Sequence, residues 1–301
     1  MDRIMNIGII ANLYGSKTRQ LLEGIEKWAN DYAVEIYFLA EKPEEFDEER
    51  FKTYIIGKYV DLRKEGFPEN IEFILSIGGD GTLLKAAHIV APYNVPVLGI
   101  NQGRIGFLTV EYEPPLVSLL NRILRKNYTI SERRMLRILT ENRELYALND
   151  AIITRFKGLA VIQICLSIND IKVADFYGDG VIVATPTGST GYSLSAGGPV
   201  ITPETEVNVI TPICPHTLGI RPLVVNAEDT IRIVSFCSRT SIVLNSDGLE
   251  SIFLKPEETV EISSHPEYKI KLVHLSDEPF FSLLKQKLEW VGEKKTTGSG
   301  K

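Results

Sequence analysis

The hydrophobic pattern changes character near Tyr128. Before it, short continuous apolar runs alternate with helical spacing. Asn6–Ala11, Val34–Leu39, Ile71–Ile77 and Val95–Ile100 read as buried strands. Between them, Lys17–Asn30 sets Leu21, Leu22, Ile25 and Trp28 on one helical face, with Ser16 as its expected cap, and Thr82–Val90 reads as a second helix. Residues 41–70 are charged and poorly patterned; the acidic run Glu41–Glu49 reads as a solvated helix or loop. Strand–helix–strand alternation predicts a parallel sheet with helices on its faces.

After Tyr128, strand-like segments follow one another with turn residues between many of them: Ile130–Leu139, Leu145–Thr154, Ala160–Ile168, Ile171–Phe176, Gly180–Ala184, Val207–Ile210, Thr230–Phe236, Ser241–Leu244, Thr259–Ser263 and Tyr268–Leu275. That texture predicts an antiparallel, sandwich-like β domain. Pro114–Lys126 reads as a helix bridging the two regions, and Pro279–Trp290 as a terminal amphipathic helix packing back on the first domain. The expected organisation is an α/β, Rossmann-like domain over 1–112, an all-β sandwich-like domain over 113–276, and a helix with a solvated tail over 277–301.

Composition narrows the function classes. A chain of 301 residues with 44% apolar residues has material for two cored domains. Its 33 basic against 39 acidic residues give a net charge of −6, so no nucleic-acid partner is announced. Three scattered cysteines, Cys165, Cys214 and Cys237, make neither a disulfide framework nor a zinc site. No apolar run is long enough for a membrane helix, and MDRIMNIGIIA runs straight into a strand without a cleavage signal. The expectation is a cytoplasmic protein without a membrane partner.

The sharpest chemical signal is Ser76-Ile77-Gly78-Gly79-Asp80-Gly81-Thr82, which follows a strand and opens a helix. Glycines let backbone N–H groups approach a ligand, and the helix start adds partial positive charge, a natural cradle for phosphate oxygens. A carboxylate is out of place among phosphates. Asp80 therefore reads as holder of a phosphate-bridging divalent metal or as acceptor of a hydroxyl proton. Lys85, one turn on, is placed to reach phosphates. Asn101–Leu108 (NQGRIGFL) follows the next strand, and its Arg104 suits bidentate phosphate contact. The stretch Gly178–Pro199 runs from a strand into small and hydroxylated residues that can lie beneath a planar ring and bond its edge. Leu148-Asn149-Asp150 pairs an amide with an acid, able to read an adenine edge and a ribose diol, though such a pair is commonly a turn. His216 reads as a structural rather than a catalytic histidine.

Together these motifs resemble the NAD kinase family: GGDGT after a strand, NQGRIGFL, LND, DGVIVATPTGSTGYSLSAGGPVITP and PICPHTLGIRPLVV, in that order over about residues 70–255. GGDGT alone also suits diacylglycerol and sphingoid lipid kinases; TPTGSTGYSLSAGGP decides between them. The resemblance implies transfer of the γ-phosphate of ATP, or of another phosphoryl donor, to the 2′-hydroxyl of NAD's adenosine ribose, giving NADP. It implies Mg²⁺ accompanying ATP and a homodimer or homotetramer. It casts Asp80 as catalytic base and Gly78, Gly79, Gly81 and Thr82 as phosphate holders. Its NAD-binding set is Asp80, Gly81, Asn149, Asp150, Lys157, Tyr177, Asp179, Thr190, Gly191, Tyr192, Ser193, Leu194 and Ser195, with no metal ligand assigned to the protein. Asp150 stands where many relatives have Glu, and Gly191 where Ala is frequent. Whether Arg155 or Lys157 supplies a phosphate contact stays open. A lipid kinase and a non-catalytic dinucleotide sensor are the alternatives.

Overall fold

The computed structural model describes residues 5–40, 52–101, 106–111, 115–275 and 280–288. The first region holds β1 (Asn6–Ala11), α1 (Thr18–Asp31), β2 (Glu35–Ala40), β3 (Lys58–Asp61), α2 (Leu62–Glu65), β4 (Phe73–Ile77), α3 (Asp80–Val90), β5 (Val97–Asn101), β6 (Val110–Glu111) and α4 (Leu116–Leu124). Strands β1, β2, β4 and β5 are continuous apolar runs with buried interiors, as parallel strands covered on both faces must be. They pair in the order β5-β4-β1-β2-β3, all parallel. Since β1 lies between β2 and β4, the chain reverses its direction of winding there. The carboxyl ends of β1 and β4 therefore open a crevice. Helix α1 buries Leu21, Leu22, Ile25 and Trp28 as its spacing predicts, but its cap position is Lys17, with no side-chain cap bond, rather than Ser16. Helix α4 packs against this region, and the Trp28 indole N–H donates to Asn121 Oδ1 at 2.9 Å.

The second region continues with β7 (Thr129–Leu139), β8 (Glu144–Ala147), β9 (Asp150–Arg155), β10 (Ile162–Ile168), β11 (Ile171–Gly178), β12 (Gly180–Ala184), α5 (Tyr192–Ser195), β13 (Val207–Ile213), β14 (Leu223–Asn226), β15 (Ile231–Phe236), β16 (Ile242–Ser246), β17 (Glu250–Leu254), β18 (Thr259–His274) and α6 (Phe280–Lys287). Among the described residues a 6-stranded sheet runs β14-β13-β12-β9-β16-β17. It faces β7, β8, β10, β11, β15 and the first half of β18 across one apolar core, which includes Ile138, Ile164, Val181, Ile233 and Leu244. This is the β-sandwich. Strands β10, β15 and β16 alternate buried and half-buried positions, the mark of sheets with one face inward.

The two regions share a sheet. Strand β18 pairs with β15 and β7 in the sandwich, then reaches the parallel sheet beside β5 at Leu272↔Val97. Its Val273, and Leu275 just past its end, lie in the first region's core. A third apolar cluster joins Leu83, Leu84 and Ala87 of α3 to Met135, Leu148 and Ile270 of the sandwich. Helix α6 is present, with Leu284 buried. No helix among the described residues is long and apolar enough to cross a membrane.

Candidate functional site

At the carboxyl end of β4 the chain turns through Gly78 and Gly79 into α3. A β-carbon on Gly78 would collide with the Thr82 hydroxyl, so this turn needs glycine. One on Gly79 or Gly81 would meet nothing within 4 Å. Glycine there leaves open space rather than avoiding a neighbour. The N–H groups of Asp80 and Gly81 lie too early in α3 to have an intrahelical acceptor, and the positive end of the helix dipole sits on them. A cavity of about 470 Å³ lies beside this helix start, in the crevice at β1. Gly79, Gly81, Thr82 and Lys85 line one side, Asn12–Tyr14 and Leu39–Ala40 the other, and Leu249 reaches in from the turn after β16. Four of the predicted phosphate contacts are thus together. Arg104 lies outside the described residues.

Asp80 opens α3, and its carboxylate is held by the segment after β5. Oδ2 accepts the Phe107 N–H at 2.8 Å; Oδ1 accepts the Leu108 N–H at 3.3 Å and the Thr109 hydroxyl at 3.0 Å. Thr109 in turn accepts from Asn101 Nδ2 at 3.0 Å. A β-carbon on Gly106 would overlap the carboxylate, which explains the glycine in that segment. A carboxylate offers about four acceptor positions. Three donors therefore fix this one in orientation and, among the described residues, leave a position of Oδ2 unused.

The second part of the site is built around Asp247, which the motifs did not single out. It sits in the tight turn between β16 and β17 at φ 53°, followed by Gly248 at φ 71°. Its side chain has no solvent exposure. Oδ2 accepts the Leu148 N–H at 2.6 Å, and Oδ1 accepts those of Asn149 and Asp150 at 2.8 and 2.9 Å. His88 Nε2, on α3, lies 2.8 Å from Oδ2. These bonds hold Asn149 and Asp150 at the start of β9. Among the described residues no hydrogen-bond partner reaches Asn149 Oδ1, which is buried. Asp150 is 5% exposed. Burial first, then the neighbouring Asp247 carboxylate, pushes its carboxyl up to about 7 from an ordinary 3.8.

The glycine- and hydroxyl-rich loop packs over this pair. Gly188 lies so close that a β-carbon would strike the Asn149 backbone carbonyl, and the Thr185 hydroxyl donates to Leu148 O at 2.6 Å. A β-carbon on Gly191 would sit 3.7 Å from Asp150 Oδ2 and 3.9 Å from Asn149 Nδ2. Thr190 turns its hydroxyl to Thr187 O at 3.3 Å. Tyr192 and Ser195 are exposed, Leu194 is half-buried, and Ser193 is buried with its hydroxyl on Thr211 at 2.8 Å. Asp179 is ion-paired with Arg155, whose Nε donates to Gly158 O at 2.8 Å. Arg155 is thereby committed to Asp179, while Lys157 Nζ rests over the Phe156 ring at 4.9 Å. Tyr177 is exposed, its hydroxyl 3.3 Å from Gln163 Oε1. His216 is exposed and bonds Tyr177 O through its backbone N–H at 2.8 Å. Among the described residues no three acids, histidines or cysteines converge as a metal site.

Residues 7–128 match the model of the ATP-NAD kinase N-terminal domain, and residues 148–275 that of the ATP-NAD kinase C-terminal domain. The NAD kinase of Caldanaerobacter subterraneus is 34% identical over 292 residues, covering 94% of this chain and 98% of that protein. The NAD kinase of Flavobacterium johnsoniae is 36% identical over 315 residues, covering 97% and 100%. Among solved structures, yeast NADH kinase complexed with NADH superposes with a TM-score of 0.80 at 22% identity, covering all of this chain and 91% of that one; it shares the fold. An Archaeoglobus fulgidus NAD kinase in complex with ATP gives 0.71 at 27% identity, covering 96% and 100%. With both domain models matched and relatives 34% and 36% identical over nearly their whole lengths, the chain belongs to the NAD kinase family.

Proposed function

We propose that the protein transfers the terminal phosphoryl group of ATP to the 2′-hydroxyl of NAD's adenosine ribose, forming NADP and ADP. The observation that carries the reading is the placement of Asp80: a carboxylate oriented by three donors, with acceptor capacity left, at the mouth of a glycine-rich helix start. In this reading the phosphates lie along Gly79, Gly81 and Thr82, with Gly78 shaping the turn and Lys85 neutralising charge. Asn149 Oδ1, lacking a partner, accepts from the adenine edge, and Asp150 accepts from the ribose. Thr190–Ser195 close over the ring, with Asp179, Tyr177 and Lys157 at its border. Family membership sets the lipid-kinase alternative aside. A sensor, the other alternative, has no use for an oriented carboxylate at that place.

The 2′-oxygen attacks the γ-phosphorus, the bond from that phosphorus to the β-bridging oxygen breaks, and the hydroxyl proton passes to Asp80. Positioning and charge neutralisation do most of the work in such transfers. The donor set fits a hydrated Mg²⁺ carried by the phosphates rather than one caged by protein, since among the described residues Asp80 has a single unused acceptor position on Oδ2. When bound, that ion would supply charge neutralisation at the phosphates.

The working division is 1–112, 113–276 and 277–301, although Leu116, Leu120 and Ile123 of α4 pack in the first region's core. Apolar side chains exposed on edge strands, Ile171 and Val173 on β11 and Leu223 and Val224 on β14, support a homodimer or homotetramer. Three free cysteines suit a reducing cytoplasm. The test is incubation with ATP, Mg²⁺ and NAD. NADP formation supports the reading, and its absence with intact NAD binding overturns it.

A further inference from the structure

We propose that His88 is a positioning residue for the dinucleotide end of the site, acting through Asp247; the proposal rests on the functional reading above. The Asp247 carboxylate only accepts, so the 2.8 Å contact requires the proton on His88 Nε2. With it, both oxygens of Asp247 carry two donors each: Leu148 N–H and His88 on Oδ2, Asn149 and Asp150 N–H on Oδ1. The imidazole is the one donor of the four that comes from the first region. Asp247 is fully enclosed, so a missing donor is not replaced by bulk water.

The place of His88 on α3 gives this pair its consequence. His88 and Asp80 belong to the same 11-residue helix, eight positions apart, a rise of about 12 Å. One end of this rigid element presents the carboxylate and phosphate loop. The other fixes the turn that orders Asn149 and Asp150. Around the polar pair lies the apolar contact of Leu84 and Ala87 with Met135 and Leu148. Apolar contacts resist separation but are tolerant of sliding and rotation. The His88–Asp247 bond is directional and sets the register between the two regions, and with it the distance from the Asp80 carboxylate to the ribose held by Asp150.

The test uses His88→Ala, which removes the donor, His88→Phe, which removes it while keeping ring packing, and His88→Gln, whose amide N–H can reach Asp247. Steady-state kinetics with ATP, Mg²⁺ and NAD and amide hydrogen exchange of the unliganded proteins are the two readouts. The expected result is a rise of about tenfold in KM for NAD in the Ala and Phe variants, the loss of one hydrogen bond to a charged group. KM for ATP stays within twofold, exchange at Leu148–Asp150 is faster, and Gln restores both NAD affinity and protection. The proposal is overturned if KM for NAD in the Phe variant stays within twofold of wild type, if Gln behaves as Phe does, or if exchange at those three amides is unchanged. A wild-type protein that makes no NADP would sink the functional reading; amide exchange in the Phe and Gln variants still decides whether His88 clamps Asp247.

Discussion

Asp80 and Asp150 are both acids of the site, but the molecule treats them in opposite ways. Asp80 is half-exposed at a helix start and takes three donors from the 107–109 segment. Asp150 is buried, no hydrogen bond among the described residues reaches its carboxylate, and Asp247 stands beside it. The Asp247 side chain is also fully buried, yet it has four donors. Burial alone therefore does not set how costly an acid is. The count of donors aimed at it does, and here the donors go to the acid that builds the site and to the one assigned to the reacting hydroxyl. Asp150, left without donors, is primed for a ligand that brings them, as a ribose diol does.

The largest effect expected from breaking this contrast is at Asp80. Asp80→Asn keeps the shape and can keep an acceptor for Phe107 or Leu108, but it cannot take a proton. Turnover should fall about 100-fold or more, the usual scale of a positioned base, while the dissociation constant for NAD changes little. Rates of NADP formation and calorimetric NAD binding check it. Near-normal kcat would remove Asp80 from the role of base.

Next in size is Asp247→Asn. One amide oxygen can serve at most two of the four donors, and the new NH₂ faces at least two N–H groups. Buried donors without acceptors cost about 1–3 kcal/mol each, so a loss of several kcal/mol in unfolding free energy is expected. The Asp150 carboxyl should at the same time fall toward its ordinary range, because a neighbouring charge is gone. Denaturant unfolding at neutral pH tests this, and an unchanged midpoint would show that the donors find other partners.

The Asp80 corner was legible in the sequence because its parts are contiguous: an apolar strand, glycines, and a helix start within Phe73–Val90. The Asp247 corner was not. Its partners Leu148, Asn149 and Asp150 lie 99, 98 and 97 positions away, and His88 159 away, while Ser246–Asp247–Gly248 by itself looks like any hairpin turn. The same hidden acid explains a misread element. Leu145–Thr154 reads as one strand, but the chain breaks at Leu148–Asn149 because those N–H groups turn to Asp247 instead of a neighbouring strand. The converse occurs in β18, read as two strands about Pro266. A register shift between Ser264 and Lys269 lets one 16-residue strand pass the proline. Strand β3, four residues in a charged stretch, carried too little apolar pattern to be seen.

Smaller, but more diagnostic of the ligand, is the pH response of Asp150. Its folded value near 7 is raised above the ordinary 3.8. Between those values the folded protein binds a proton that the unfolded chain has released, so stability is complete at low pH and declines as pH rises toward and through 7. Asp150→Asn should flatten that decline. NAD binding should run the other way. If ribose hydroxyls donate to the ionised carboxylate, a group titrating near 7 gives about tenfold tighter binding at pH 8 than at pH 6. A flat NAD affinity across that range, with the stability slope present, would place the ribose away from Asp150.

The smallest effect expected is at Gly191, where the loop comes nearest to the Asn–Asp pair. Its φ of −93° lies outside the left-handed region that favours glycine. An added methyl would sit 3.2 Å from Gly188 O, a tenths-of-an-ångström strain, and at ordinary contact distance from Asp150 and Asn149. It would also shield the buried acid slightly further and leave the hydroxyl donors of the ligand in place. Gly191→Ala should therefore alter KM for NAD by less than about threefold, within the 0.5 kcal/mol or so of a mild substitution. A much larger rise in KM would mean that the ligand itself presses on this glycine, and that the ring closes against Gly191 rather than beside Tyr192.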